Sequence, residues 1–345
     1  MNVIKAIQTG LVGYGLSGFT FHAPFMKTMD EFSVVKIMSS NEEKVKKDFP
    51  DTEVTNDFEL VIRDADVELI IITTPNEFHF DMAKRSIEAG KHVIIEKPMV
   101  IESAKGDELV QLAEKHDVML SVYQNRRYDG NFQTVKKLID DGALGDINTY
   151  EARYDRFCPV LVGGWREKAE PGAGMLYDLG AHLIDQALYL FGMPHSVTAD
   201  VQVQREDGKT DDYFHIILAY GKKRAILHCG LLALEQGPKY KVHGDKGTFI
   251  KYGEDGQESD LKEGKRPGDE GWGMDRPELY GTLYTEESEE KIVTVPGAYM
   301  NYYKGVYDCI RNGADCPVPG EDGVNTIRLI EAAIKSSEEK RTVKW

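Results

Sequence analysis

An apolar run over residues 4–12 leads straight into Gly13-Tyr14-Gly15-Leu16-Ser17-Gly18, and residues 19–29 behind it read as a helix. No other feature of the chain restricts its fold as much. A strand, glycines at G-x-G-x-x-G spacing and a helix form the first half of a βαβ unit. In that setting Gly13 permits a tight turn, Gly15 lets the backbone approach a pyrophosphate, and Gly18 lets the helix pack closely on the strand. The helix N-terminus then offers unpaired N–H groups to the phosphates. Because glycine-rich turns also start ordinary helices, the elements downstream decide the matter.

Those elements repeat the unit. Strand character at 32–38, 67–73, 92–95 and 118–122 alternates with helical character at 41–48, 78–89 and 103–116, and Gly90 stands where a helix C-cap favours glycine. Strands this uniformly apolar belong in a parallel sheet covered on both faces, which makes the N-terminal part a doubly wound α/β domain of Rossmann type. Ligands of such sheets bind at the carboxyl ends of the strands. Thr74-Pro75-Asn76, Glu96-Lys97-Pro98 and Tyr123-Gln124-Asn125 fall there. The end of the second strand, where the cofactor's 2′ group is read, holds Ser39, Ser40 and Asn41 and no carboxylate. A carboxylate there would bind a ribose diol and repel a 2′-phosphate, so its absence favours NADP, with NAD as the alternative. Against this, Glu42 and Glu43 follow, no arginine lies in the turn, and Lys44 is the nearest cation. Ser40 and Glu43 also read as an S-x-x-E capping box, which is reason enough for both.

A chain of 345 residues suits two domains. The expected division places a dinucleotide-binding domain at 1–123 and a substrate-binding and oligomerisation domain at 124–345, whose C-terminal helix packs back on the first. Residues 196–204, 213–220, 224–232 and 240–252 alternate as strands, so the second domain reads as α+β with a large, mostly antiparallel sheet. Helices on one face of that sheet leave the other to be covered by self-association, as a dimer or tetramer. Residues 254–273 read as a polar, mobile surface loop, and 299–311 and 324–337 as helices. A net charge of −16 argues against nucleic-acid and membrane-surface partners. Cys158, Cys229, Cys309 and Cys316 form no C-x-x-C pair, so neither a metal site nor a disulfide framework is expected. With no leader-like or membrane-spanning apolar run, a cytoplasmic protein is expected.

The other informative stretch is 171–192, "PGAGMLYDLGAHLIDQALYLFG". Read as a helix from Leu176, it puts Leu179, Leu183, Ala187 and Leu190 on one face, and Asp178, His182 and Asp185 on another. A histidine one turn from a carboxylate is what a general base needs, since the neighbour fixes its tautomer and steadies the imidazolium. The same pairing also serves as a plain buried hydrogen bond.

Taken together, the glycine turn, Thr74-Pro75-Asn76 with His79, Glu96-Lys97-Pro98 and Asp178-x-Gly180-x-His182-x-x-Asp185 resemble the glucose–fructose oxidoreductase and inositol dehydrogenase (Gfo/Idh/MocA) family. Residues 121–132, 165–167 and 242–253 look like its NADP-dependent scyllo-inositol dehydrogenase branch. The resemblance implies a cofactor site at Gly13, Tyr14, Gly15, Leu16, Ser17, Gly18, Ser39, Ser40, Thr74, Pro75, Asn76, His79, Glu96 and Lys97. It further implies that Lys97 hydrogen-bonds the reacting oxygen, that His182 takes the hydroxyl proton, and that Asp178 faces the substrate. Alcohol oxidation needs these groups, a proton acceptor on oxygen and a cation beside the developing alkoxide, while the nicotinamide takes hydride from carbon. For Lys97 the competing reading is an ordinary surface lysine before a proline turn. Asn125, Tyr154, Trp165 and Arg166 are expected substrate contacts, through hydroxyl binding and packing on a sugar-like ring. Arg126 and Arg127 are weaker candidates that also suit simple ion pairs, and His22 equally suits a structural role. The expected function is hydride transfer between NADP(H) and a secondary alcohol of a cyclitol or sugar, scyllo-inositol and its inosose first. A same-fold enzyme for another polyol and a non-catalytic dinucleotide-binding regulator are the alternatives.

Overall fold

The computed structural model describes residues 4–345, so the first three residues of the expected first domain lie outside it. The chain forms two compact units. One holds the residues through Asn125 together with 257–272 and 298–324; the other holds 126–256, 273–297 and 325–345. The chain therefore leaves the first unit close to the expected boundary and returns to it twice.

In the first unit β1 (Ile7–Val12), β2 (Phe32–Met38), β3 (Glu53–Thr55), β4 (Leu69–Ile72), β5 (His92–Ile95) and β6 (Leu120–Val122) form a parallel sheet in the order β3-β2-β1-β4-β5-β6. The order reverses between β1 and β4, the place where such sheets open a crevice for a ligand. Every residue of β4 is buried, as expected for a strand covered on both faces. The helix Ser103–His116 ends as read from the sequence. Residues 257–272 correct the expectation of a mobile loop. They begin with the helix Gln257–Lys262, the buried Gln257 side chain accepts from the Tyr299 N–H at 2.9 Å, and Trp272 packs edge-on against Phe25. Two anchors hidden among polar residues suffice to tie the segment down.

The second unit is built on β7 (Ile147–Asp155), β8 (Ser196–Gln202), β9 (Tyr213–Tyr220), β10 (Lys223–Gly230), β11 (Tyr240–Gly244), β12 (Thr248–Lys251), β13 (Gly281–Tyr284), β14 (Glu289–Ile292) and β15 (Val343–Lys344). Their order is β14-β13-β12-β11-β7-β10-β9-β8-β15, antiparallel except where β7 meets β10. The region 240–252, read as one strand, is the hairpin β11–β12. The central strand, β7, escaped the sequence reading. Its Tyr150, Ala152 and Tyr154 point into the core while Glu151, Arg153 and Asp155 lie on the other face. The helices Gly130–Asp140 and Ala181–Phe191 cover the inner face, with Phe132 packed between Tyr189 and Tyr240, and Phe191 edge-on to Tyr150. Among the described residues no helix is long and apolar enough to cross a membrane.

Phe132 is fully buried, so truncating it leaves a cavity the two tyrosine rings cannot fill. Phe132→Ala is expected to lower the unfolding free energy by about 3–5 kcal/mol, measured by denaturant titration.

Candidate active site

The glycines behave as three different physical constraints. Gly13 has φ +100°, and a Cβ there would meet Thr73 Oγ1 at 2.8 Å. At Gly18 a Cβ would stand 2.3 Å from the Gly13 carbonyl oxygen, so the start of the helix can press on the turn only without a side chain. A Cβ on Gly15 would meet nothing within 4 Å, so the turn is open at this position. Thr73, at the end of β4, donates to the Gly13 carbonyl at 2.9 Å and locks the turn to the neighbouring strand. The chain then enters a π-helical turn, Gly18–His22, and the helix Ala23–Thr28.

Glu96 joins this turn to the end of β5. Its carboxylate accepts from the Ser17 hydroxyl, from His22 Nε2 at 3.0 Å and from the Lys97 N–H at 3.0 Å. The other ring nitrogen of His22 lies 2.9 Å from the Tyr303 hydroxyl, and Tyr123 donates to the Phe21 carbonyl beside it. Burial pushes the Glu96 carboxyl up, but the His22 and Ser17 hydrogen bonds and the Lys97 charge outweigh it and hold the group below the usual carboxylate range. Lys97 follows at the carboxyl end of β5, before a cis bond to Pro98. His79 ties the two neighbouring loops together, with Nδ1 2.9 Å from the Pro98 carbonyl and Nε2 2.9 Å from the Thr74 carbonyl. Burial holds its pKa below the ordinary value. Pro75 precedes the short turn Asn76–Phe78.

At the end of β2, Asn41 rather than Ser40 caps the helix Glu42–Asp48, its side chain accepting from the Lys44 N–H at 2.9 Å. The capping-box reading of Ser40 and Glu43 is therefore replaced; Ser40 is exposed and Ser39 accepts from the Asn41 N–H. Lys44 turns back to the glycines, donating to the Tyr14 carbonyl at 3.1 Å with its ammonium 4.3 Å from the Phe19 ring centroid. Tyr14 donates to Asp48, and Leu16 is exposed.

In the second unit, Asp178 and His182 lie on successive turns, but not on one amphipathic helix. Leu176–Gly180 is a π-helical turn that runs into the helix Ala181–Phe191. Residues 181–187 are all buried, so the polar residues sit in the interior rather than on a solvated face. Asp178 and Asp185 each have a cation. Arg166 donates to Asp178, and Arg127 forks onto Asp185 at 2.8 and 2.6 Å while its guanidinium covers the Tyr189 ring. The Asp211 carboxylate accepts from the Leu176 N–H at 2.6 Å and caps the π-turn; burial pushes its pKa up to about 6. Trp165 is exposed, with the Arg166 guanidinium 4.9 Å from its ring centroid. Tyr154 is buried with the Lys239 ammonium against its ring, so this face is not open for stacking on a sugar. Asn125 opens the short turn Asn125–Tyr128 and is buried.

The sequence reading missed Asp211, Lys239 and the partners of Glu96. The comparisons with known proteins bear on the whole chain. Residues 7–124 match the model of an oxidoreductase family's NAD-binding Rossmann fold, and 136–345 match the C-terminal alpha/beta domain of the same family. The chain belongs to the Gfo/Idh/MocA oxidoreductase family. As a Gfo/Idh/MocA protein it is 49% identical to the scyllo-inositol 2-dehydrogenase (NADP(+)) IolW of Bacillus subtilis over 99% of this chain and 96% of that one. It is 41% identical to the uncharacterized oxidoreductase YdgJ of Escherichia coli over 98% of both. Among solved structures it resembles the Bacillus subtilis protein yvaA, solved as a candidate oxidoreductase, with TM-score 0.97 and 48% identity over all of both chains. The doubly wound first sheet and the mixed, mostly antiparallel second sheet are thus the family's, and the chain is an oxidoreductase.

Glu96 supplies the prediction for this Gfo/Idh/MocA protein. Its pKa is lowered by folding, so the ionised carboxylate stabilises the fold above the ordinary value of 4.5, and this contribution fades as pH falls through the folded pKa. Glu96→Gln is expected to cost about 1–3 kcal/mol at neutral pH. In unfolding titrations across acid pH, the gap to wild type should stay constant above about pH 4.5 and close below it.

Proposed function

We propose that this chain is an NADP-dependent dehydrogenase of a cyclitol, interconverting scyllo-inositol and its inosose. The reading is carried by Lys97, set at the end of β5 on a peptide whose N–H the Glu96 carboxylate holds, while that same carboxylate grips the glycine turn. The residues present suit a dinucleotide: Gly15 leaves room for the pyrophosphate, and Ser39, Ser40 and Lys44 offer donors and a cation to a 2′-phosphate. Leu16, Ser17, Thr74, Pro75, Asn76 and His79 complete that side. When bound, the nicotinamide accepts hydride from the carbinol carbon. Lys97 donates to the reacting oxygen and stabilises the charge that develops on it. His182 accepts the hydroxyl proton and returns it in the reverse direction. Asp178, held by Arg166, faces the substrate, Asn125 and Arg166 bind its hydroxyls, and the exposed Trp165 ring packs on its ring face. Tyr154 acts as a support beneath Lys239. The relative named as an NADP(+) scyllo-inositol dehydrogenase supports both the cofactor and the substrate of this reading.

The outer face of the second-unit sheet carries half-buried Glu151, Arg153, Asp155, His215 and His228, a mixed-charge surface suited to a second copy of the chain. A homo-oligomer in a reducing cytoplasm agrees with this surface and with four unlinked cysteines.

The deciding experiment is a matrix of NAD and NADP against myo-inositol, scyllo-inositol and several aldoses. The expected result is NADP turnover fastest with scyllo-inositol; no turnover with any polyol would refute the reading. Lys97→Ala should lower kcat at least about 100-fold while NADPH binding is kept. Lys44→Glu should lower kcat/KM for NADP while sparing NAD, through repulsion of the 2′-phosphate.

A further inference from the structure

Cys309 and Cys316 both line a cavity of about 370 Å³ on the first unit, away from the glycine turn and the E-K-P strand end. His92, Glu114, Met119, Leu120 and Pro319 also line it. Cys309 belongs to the helix Met300–Asn312, and Gly313 turns the chain back with φ +68° so that Cys316 faces the same space. Cys316 Sγ donates to the Leu120 carbonyl at 3.9 Å, and both thiols are partly accessible. The interaction between the two thiols lowers the Cys309 pKa and raises that of Cys316, which is the division of roles between an attacking and a resolving thiol.

We propose that Cys309 and Cys316 form a reversible disulfide on exposure to a hydroperoxide, making the pair a redox-modification site of this chain. The Cys309 thiolate attacks one peroxide oxygen, the O–O bond breaks, and an alcohol or water leaves with a proton. Cys316 sulfur then displaces the hydroxyl from the resulting sulfenic acid, an S–S bond replaces the S–O bond, and water leaves with the second thiol proton. The two thiols give up two electrons and the hydroperoxide gains them; a dithiol reductant reverses the change. The link would clip the end of the helix Met300–Asn312 to the segment whose Val318 carbonyl accepts from Val122 N–H at 3.0 Å and from Ser121 Oγ at 2.9 Å. That segment borders β6, the edge strand leading to Tyr123 and the His22 cluster.

The test uses the intact chain, treated with stoichiometric hydrogen peroxide, alkylated and digested with trypsin, which cuts after Arg311 and so separates the two cysteines. The expected product is the pair of peptides carrying Cys309 and Cys316 joined by a disulfide, with reactive thiols in the unfolded chain falling from four to two and returning with dithiothreitol. The joined pair should persist in Cys158→Ser, which removes the exposed thiol, and vanish in Cys309→Ser and in Cys316→Ser. Recovery of both cysteines alkylated after peroxide, or of Cys309 as a sulfinic acid without any joined peptide, would overturn the proposal.

Discussion

The Glu96 carboxylate is the contact on which the rest of the first unit depends. Removing a carboxylate from water is costly unless several donors replace the lost hydration. Here a serine of the glycine turn, a histidine one helical turn further on and the backbone of Lys97 replace it together. The same charge therefore sets the distance between the glycine turn and the lysine-bearing strand end. The aromatic cluster of Tyr123, Tyr302 and Tyr303 packs around His22 and restricts its ring. Bulk burial makes the sheet, and one ionised group sets the geometry within it.

The second unit solves a similar problem with arginines. The helix bearing His182 is buried around its whole first half and carries the Asp185 carboxylate inside. Arg127 neutralises Asp185 through two hydrogen bonds, and Gln186 bridges the Arg126 carbonyl and the Tyr240 hydroxyl. Such pairs add little net stability over an apolar core, but losing one partner strands a charge at a cost of about 3–5 kcal/mol. Their effect is to fix the rotation of the helix, and with it the direction of His182.

Much of this was open to a reader of the sequence. Continuous apolar runs such as the one ending in β4 mark covered parallel strands, and the spacing of Gly13, Gly15 and Gly18 maps onto a turn, an open approach and a tight packing contact. What stayed hidden is what distant parts of the chain do to each other. Glu96 meets Ser17 and His22 across more than 70 residues, and Tyr303 meets His22 across 281. No local period encodes such pairings. β7 was missed because its charged residues alternate with only three inward side chains, and 257–272 because Gln257 and Trp272 are sparse anchors in a polar stretch. At the start of Glu42–Asp48 a serine and an asparagine compete for the cap, and only the backbone conformation chooses Asn41.

The account stands or falls on whether the turn held by Glu96 seats a dinucleotide. Gly15 allows that to be asked with little disturbance to the fold, since a Cβ there meets nothing within 4 Å. NADPH binding to wild type and to Gly15→Val, followed by energy transfer from protein tryptophan to the dihydronicotinamide, gives the answer. The account predicts binding to wild type, a loss of at least about 100-fold in Gly15→Val and an unchanged Tm. Equal affinity in the two proteins would contradict it.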